Sequence, residues 1–275
     1  MTYASLLVAV DDSPVSDGRL ELACDLTLAF GGHLTGLCAG YMAPPLYDPL
    51  AGGAMLGELL AYYRDAAEAE VERARVRFSE IIDARAIAAD WQGEIGHPAT
   101  VFSAAARGAD LVVLGARKAR APSVGPDVAD VLMACGRPVL IVPPTRLRSP
   151  VGEPALIAWN DRREARVAVA SALPLLRQAS GVTVYAVGST IDDSSTAELA
   201  DVVTWLGRHG IAAEAVVAPP GDASTGRQIL DEALTRKAGV IVAGGYGHAR
   251  LRQWALGGVT RDLINDSPIC LCLAH

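Results

Sequence analysis

Two stretches of this chain are written twice. Asp110-Leu-Val-Val-Leu-Gly115 parallels Gly239-Val-Ile-Val-Ala-Gly244, and Arg137-Pro138-Val-Leu-Ile-Val142 parallels Ser267-Pro268-Ile-Cys-Leu-Cys272. The period of about 130–140 residues is much longer than the roughly 20–50 residues of a solenoid unit, so it predicts two copies of one domain. Within each copy five segments read as strands, most of them short apolar runs bounded by glycine or charge. They fall at 6–10, 33–39, 86–94, 111–114 and 138–142, and again at 155–159, 182–187, 211–218, 240–243 and 268–273. Segments of helical spacing lie between them, including one from 163 to 177. Such alternation calls for a parallel sheet with right-handed crossovers and helices on both faces. The expected fold is therefore α/β, with two tandem five-stranded parallel-sheet domains at 1–143 and 155–275. The segment 144–154, rich in proline, is the expected linker.

Composition narrows the function. Of 275 residues, 51% are hydrophobic, which supports an ample core. The net charge of −7 argues against nucleic acid as a main partner, because neutralising phosphates needs a basic face. The apolar runs are short and broken, so no membrane partner is expected. The start of the chain lacks a basic leader, so the expected location is the cytoplasm. Cys24, Cys38, Cys135, Cys270 and Cys272 are scattered among apolar residues and read as small buried hydrophobes, with no metal site.

The chemistry concentrates in Val240 to Thr260. A strand ends at Gly244-Gly245, Gly247 follows, and after nine residues Gly257-Gly258 opens a short helix over Val259 to Ile264. Glycines let backbone N–H groups approach an anion, and a helix start adds unpaired donors. The alternative is that these glycines serve only turns and a close helix–strand contact. There is no Gly-Lys-Ser/Thr and no GxGxxG after the first strand, so neither common phosphate fingerprint is present.

The spacing G-x-x-G, nine residues, then G-G resembles the nucleotide motif of the universal stress protein family, which ends in G-Ser/Thr. Gly258 stands where that family has the hydroxyl. The resemblance covers the whole chain as a tandem member and implies a Rossmann-like fold of the adenine nucleotide alpha hydrolase type. It implies ATP, with magnesium, as the ligand of the second domain. Gly244, Gly247, Gly257, Gly258 and the Val259 backbone would hold phosphates. Asn160, which matches a family Asp, would meet the base, with Val187 lining its pocket. Asp161 shares that corner, and Asn160-Asp161 equally suits a helix N-cap. His248, Arg250 and Arg252 either add positive charge or are solvated. The Thr260 hydroxyl either substitutes for the one missing at Gly258 or bonds within its own helix.

The first domain departs from the motif. Lys118 occupies the second glycine position, and Asp127-Val128 opens the helix. Asp127 would repel a phosphate, and the retained Asp11 is insufficient alone. This domain is expected to have lost ATP. The two fifth strands are apolar throughout and need cover. In family dimers these strands meet, so an internal pseudo-dimer is expected, with a homodimer possible beyond it. No catalytic set clusters near the glycines, so the expectation is a non-enzymatic binding protein. A slow ATPase and a scaffold without ligand are the alternatives.

Overall fold

The computed structural model describes residues 2–42, 53–116, 125–145, 149–188, 193–246 and 258–275. The first half contains β1 (Ser5–Ala9), α1 (Pro14–Phe30), β2 (His33–Gly40), α2 (Gly53–Arg85), β3 (Ala89–Ile95), α3 (Pro98–Ala105), β4 (Leu111–Gly115), α4 (Val128–Cys135) and β5 (Val139–Val142). The second contains β6 (Ala155–Ala158), α5 (Arg163–Ser171), α6 (Leu173–Gln178), β7 (Val182–Val187), α7 (Asp193–Arg208), β8 (Ala213–Ala218), α8 (Thr225–Thr235), β9 (Val240–Gly244), α9 (Gly258–Asp266) and β10 (Cys270–Ala274).

All ten strands form one sheet in the order β3-β2-β1-β4-β5-β10-β9-β6-β7-β8. Each half repeats one parallel order, with its first strand between its second and its fourth. The halves join where β5 and β10 pair antiparallel, with Leu271 opposite Ile141, Cys272 opposite Leu140 and Leu273 opposite Val139. The two apolar fifth strands thus cover each other. Because they run antiparallel, the carboxyl ends of the two sets of strands lie at opposite ends of the sheet.

Helices on both faces explain why the strands read as unbroken apolar runs. Leu6 and Val8 enter the layer under α1, α2, α5, α6 and α7, while Leu7 and Ala9 enter the layer under α3, α4, α8 and α9. Both layers contain residues of both halves, so the core continues through the seam. On one face the Tyr3 hydroxyl donates to the Ser171 carbonyl at 2.7 Å, tying β1's approach to the end of α5. Pairs between Arg73 and Asp12, Arg77 and Asp17, and Arg85 and Asp25 strap α2 to the α1 side. The first is exposed and the other two are half-buried at the surface, where such pairs contribute about 0–1 kcal/mol each.

Three local details differ from the expected elements. The helix expected over 163–177 is two helices, since Pro174 lacks the N–H a continuous helix needs and α6 starts afresh at Leu173. The third strand starts at Ala89 rather than Ala86, because Ala86 adopts φ 51° after α2. Neither Asn160 nor Asp161 caps α5; the N-cap residue is Arg162. Among the described residues, no helix is long and apolar enough to cross a membrane. Cys24, Cys38, Cys270 and Cys272 are buried, and burial pushes the Cys38 and Cys272 thiols up to about 12.

Candidate functional site

In an open α/β sheet, ligands sit beyond the carboxyl ends of the strands where the strand order reverses. Here those points are β1 beside β4 and β6 beside β9. The same corner is built twice, with different contents.

At the first corner, Arg19 of α1 is buried to 6% exposure. Its Nε donates to the Ala9 carbonyl at 2.7 Å, and its Nη2 donates to Asp11 Oδ2 at 2.8 Å and to Ser16 Oγ at 2.9 Å. The Asp11 carboxylate also accepts from the Ser13 backbone N–H at 2.9 Å and from the Ser13 hydroxyl. Burial works against the Asp11 charge, but the Arg19 guanidinium and these hydrogen bonds outweigh it and hold the carboxyl below the usual carboxylate range. The guanidinium also reaches β4: a Cβ on Gly115 would lie 2.3 Å from Arg19 Nη1. Asp11 is therefore committed to the protein's own arginine. The helix start of this half is closed too. Asp127 is the N-cap of α4, and its Oδ1 accepts from the N–H groups of Ala129 at 2.8 Å and Asp130 at 3.2 Å.

Among the described residues, the second corner has no such buried arginine. Ala168, buried at 1%, stands at the place in α5 that Arg19 holds in α1. Asn160 is exposed, and its carbonyl accepts from the Arg162 N–H at 2.7 Å. Asp161 is paired with Arg166 at the surface. Val187 ends β7, half-buried, and its neighbour Gly188 donates to the Ala218 carbonyl at 3.0 Å. Just after β6, the indole N–H of Trp159 is buried and has no hydrogen-bond partner among the described residues. A donor left so costs about 1–3 kcal/mol.

The glycines of the motif separate by role. A Cβ on Gly244 would stand 2.7 Å from the Ala165 nitrogen and 2.7 Å from the Glu164 carbonyl carbon, so this glycine admits the first turn of α5. Gly258 opens α9; among the described residues nothing lies within 4 Å of an added Cβ, and no acidic residue lies in the first turn. Val259 is half-buried, and Thr260 is buried at 7% exposure one step further. Gly247, His248, Arg250, Arg252 and Gly257 lie outside the described residues, as do Arg117, Lys118 and Arg120.

Arg162 and Arg163 were missed by sequence reasoning. Both are exposed at the start of α5, beside Asn160. Setting Asp11-Asp12-Ser13-Pro14 against Asn160-Asp161-Arg162-Arg163 would have shown that the corner changes from acidic to basic.

A family model described as "Universal stress protein family" matches residues 2–143, more than half of the chain. The chain belongs to the universal stress protein family. The matched span ends just beyond β5. Among solved structures, a universal stress protein from Archaeoglobus fulgidus superposes with a TM-score of 0.75 at 19% identity, covering 98% of this chain and 98% of that one. A functionally unknown protein from Pseudomonas aeruginosa superposes with a TM-score of 0.61 at 15% identity, covering 99% of this chain and 92% of that one. At such identities the likeness concerns fold, and it extends through both halves of this universal stress protein. No curated protein matches the chain.

Proposed function

We propose that this universal stress protein binds one adenine nucleotide, ATP, in its second half and acts in a stress response without turning it over. The domains of this reading are 1–143 and 155–275, joined by 144–154, in the cytoplasm. One contrast carries the proposal. The helix that follows the fourth strand of the first half is capped by its own Asp127, whereas α9 starts at an open Gly258 with no acid in its first turn. A helix start with no acid in its first turn, preceded by a glycine-rich stretch, suits phosphate.

The other residues of the corner fit such a ligand. Asn160 offers an amide to the base, and Val187 backbone atoms flank it. Arg162 and Arg163 place positive charge at the mouth. Gly244, Gly247, Gly257 and Val259 supply main chain along the phosphates, with His248 and Arg250 adding charge from the loop and Thr260 in the helix behind. The unpartnered Trp159 indole N–H is a further donor at the end of β6. Magnesium would arrive with the triphosphate, since no group of three or more His, Cys, Asp or Glu among the described residues is placed to hold a metal. A micromolar affinity corresponds to about −8 kcal/mol, which these contacts can supply together.

Equilibrium binding of labelled ATP to the full chain tests the proposal. One nucleotide per chain is expected, and Gly247→Val should abolish it; unchanged binding in that variant rejects the loop assignment. Gly258→Ser supplies the hydroxyl that the family motif carries. Because an added Cβ meets nothing there, the substitution should leave the melting temperature unchanged. Its affinity gain should be about 1 kcal/mol, the usual worth of one hydrogen bond.

A scaffold without ligand is the second reading, favoured by Gly244, whose missing Cβ is already explained by α5. Native mass spectrometry of the protein as purified and after ATP addition separates the two.

A further inference from the structure

The chain enters the glycine-rich stretch from β9, one strand away from the seam between the halves. Gly244 pairs with Ala274, and the Gly245 N–H donates to the Ala274 carbonyl at 2.8 Å. The Gly245 carbonyl lies 3.1 Å from His275 Nδ1. Gly245 is thus the last point at which the strand ladder holds the chain before the loop. Its open side does not face solvent. A Cβ there would stand 2.6 Å from Cδ2 of Leu132, a residue of α4 in the opposite half. Leu132 is 2% exposed and belongs to the core layer shared by the halves, so it has little room to yield.

Tyr246 comes next, with φ 58°. A left-handed backbone is unfavourable for a non-glycine residue, so something must hold it. Its ring packs on the same core layer as Leu132. Burial, reinforced by the Asp127 and Asp130 carboxylates of α4, pushes its hydroxyl up to about 12. Gly245 therefore abuts a helix of the other half, and Tyr246 follows it into the core layer to which that helix belongs.

We propose that Gly245 and Tyr246 are positioning residues, and that their seat on α4 sets the direction in which the glycine loop leaves β9. The first half, its own corner closed by Arg19, then serves as the platform for the second half's loop. The consequence for affinity rests on the nucleotide reading above; the seat itself does not.

The test uses the full chain with Gly245→Ala, Leu132→Ala and the double variant, and Leu22→Ala as a control. Leu22 is fully buried in α1 on the opposite face. Two quantities are read: amide hydrogen exchange over residues 244–260 without ligand, and affinity for ATP with magnesium. Each single variant should speed exchange in the loop and weaken ATP binding about tenfold, as contacting residues commonly do. The double variant should recover most of both, because the new methyl fills space that Leu132 gives up. Leu22→Ala should lower the melting temperature while leaving loop exchange and affinity at wild-type values. Should Gly245→Ala fail to fold, Tyr246→Gly replaces it: it keeps φ 58° accessible, removes the ring, and should also speed loop exchange.

The seat is overturned if folded single variants exchange at wild-type rates, if Leu22→Ala moves the loop equally, or if the double variant shows the sum of its parts. If the wild type binds no ATP, the nucleotide reading fails, and hydrogen exchange alone decides the seat.

Discussion

Arg19→Met should destabilise the protein by about 3 kcal/mol, the scale for removing one member of a buried pair. The substitution keeps most of the side-chain volume but removes the guanidinium. Asp11 would keep its hydrogen bonds from Ser13 and lose its charge partner, and the Ala9 carbonyl would lose its Nε donor. Asp11→Asn in the same chain should recover part of the loss, because the uncompensated charge goes with it. Urea denaturation of both variants measures this. The acid limb provides a second check. The folded-state pKa of Asp11 is depressed, so its stabilisation is fully present above the unfolded value near 3.8. It disappears as pH falls through the lower folded value. In Arg19→Met this part of the pH dependence should flatten.

Gly244→Ala should cost about 3 kcal/mol, at the upper end of the overpacking range. The added methyl would meet backbone atoms of Glu164 and Ala165 rather than a movable side-chain tip. Relief requires α5 to lift from β9. Gly258→Ala, in the same motif, should be neutral or gain a few tenths of a kcal/mol, since the site is open and alanine suits a helix better. Thermal unfolding of the pair therefore separates a glycine required by packing from one whose added methyl meets none of the described atoms. Equal losses at both positions would contradict the contrast.

The succession of strands along the chain was legible because every central strand is buried on both faces and so reads as an apolar run between corner residues. The apolar fifth strands showed a need for cover, and the resemblance to family dimers implied that β5 and β10 supply it to each other. Arg19 was not legible. It interrupts the apolar spacing of α1 as a surface charge would, and its burial depends on Asp11 and on Gly115 of β4, about a hundred residues away. Gly244 could be read either as an opening for phosphate or as a helix contact, and only the position of α5 shows the second. At Asn160-Asp161 the spacing suited a cap, but Asp161 instead pairs with Arg166, leaving Arg162 as the N-cap residue. The asymmetry of the two corners was visible at Asp127. Its cause at the first corner, an arginine in the crevice, needed the three-dimensional arrangement.

The most direct test of the account is a structure of the full chain with ATP and magnesium. The account predicts one nucleotide per chain, beyond the carboxyl ends of β6 and β9, its phosphates at the start of α9, with Arg19 still seated between Asp11 and Gly115. A nucleotide beside Asp11, or saturating ATP with neither corner filled, would contradict it.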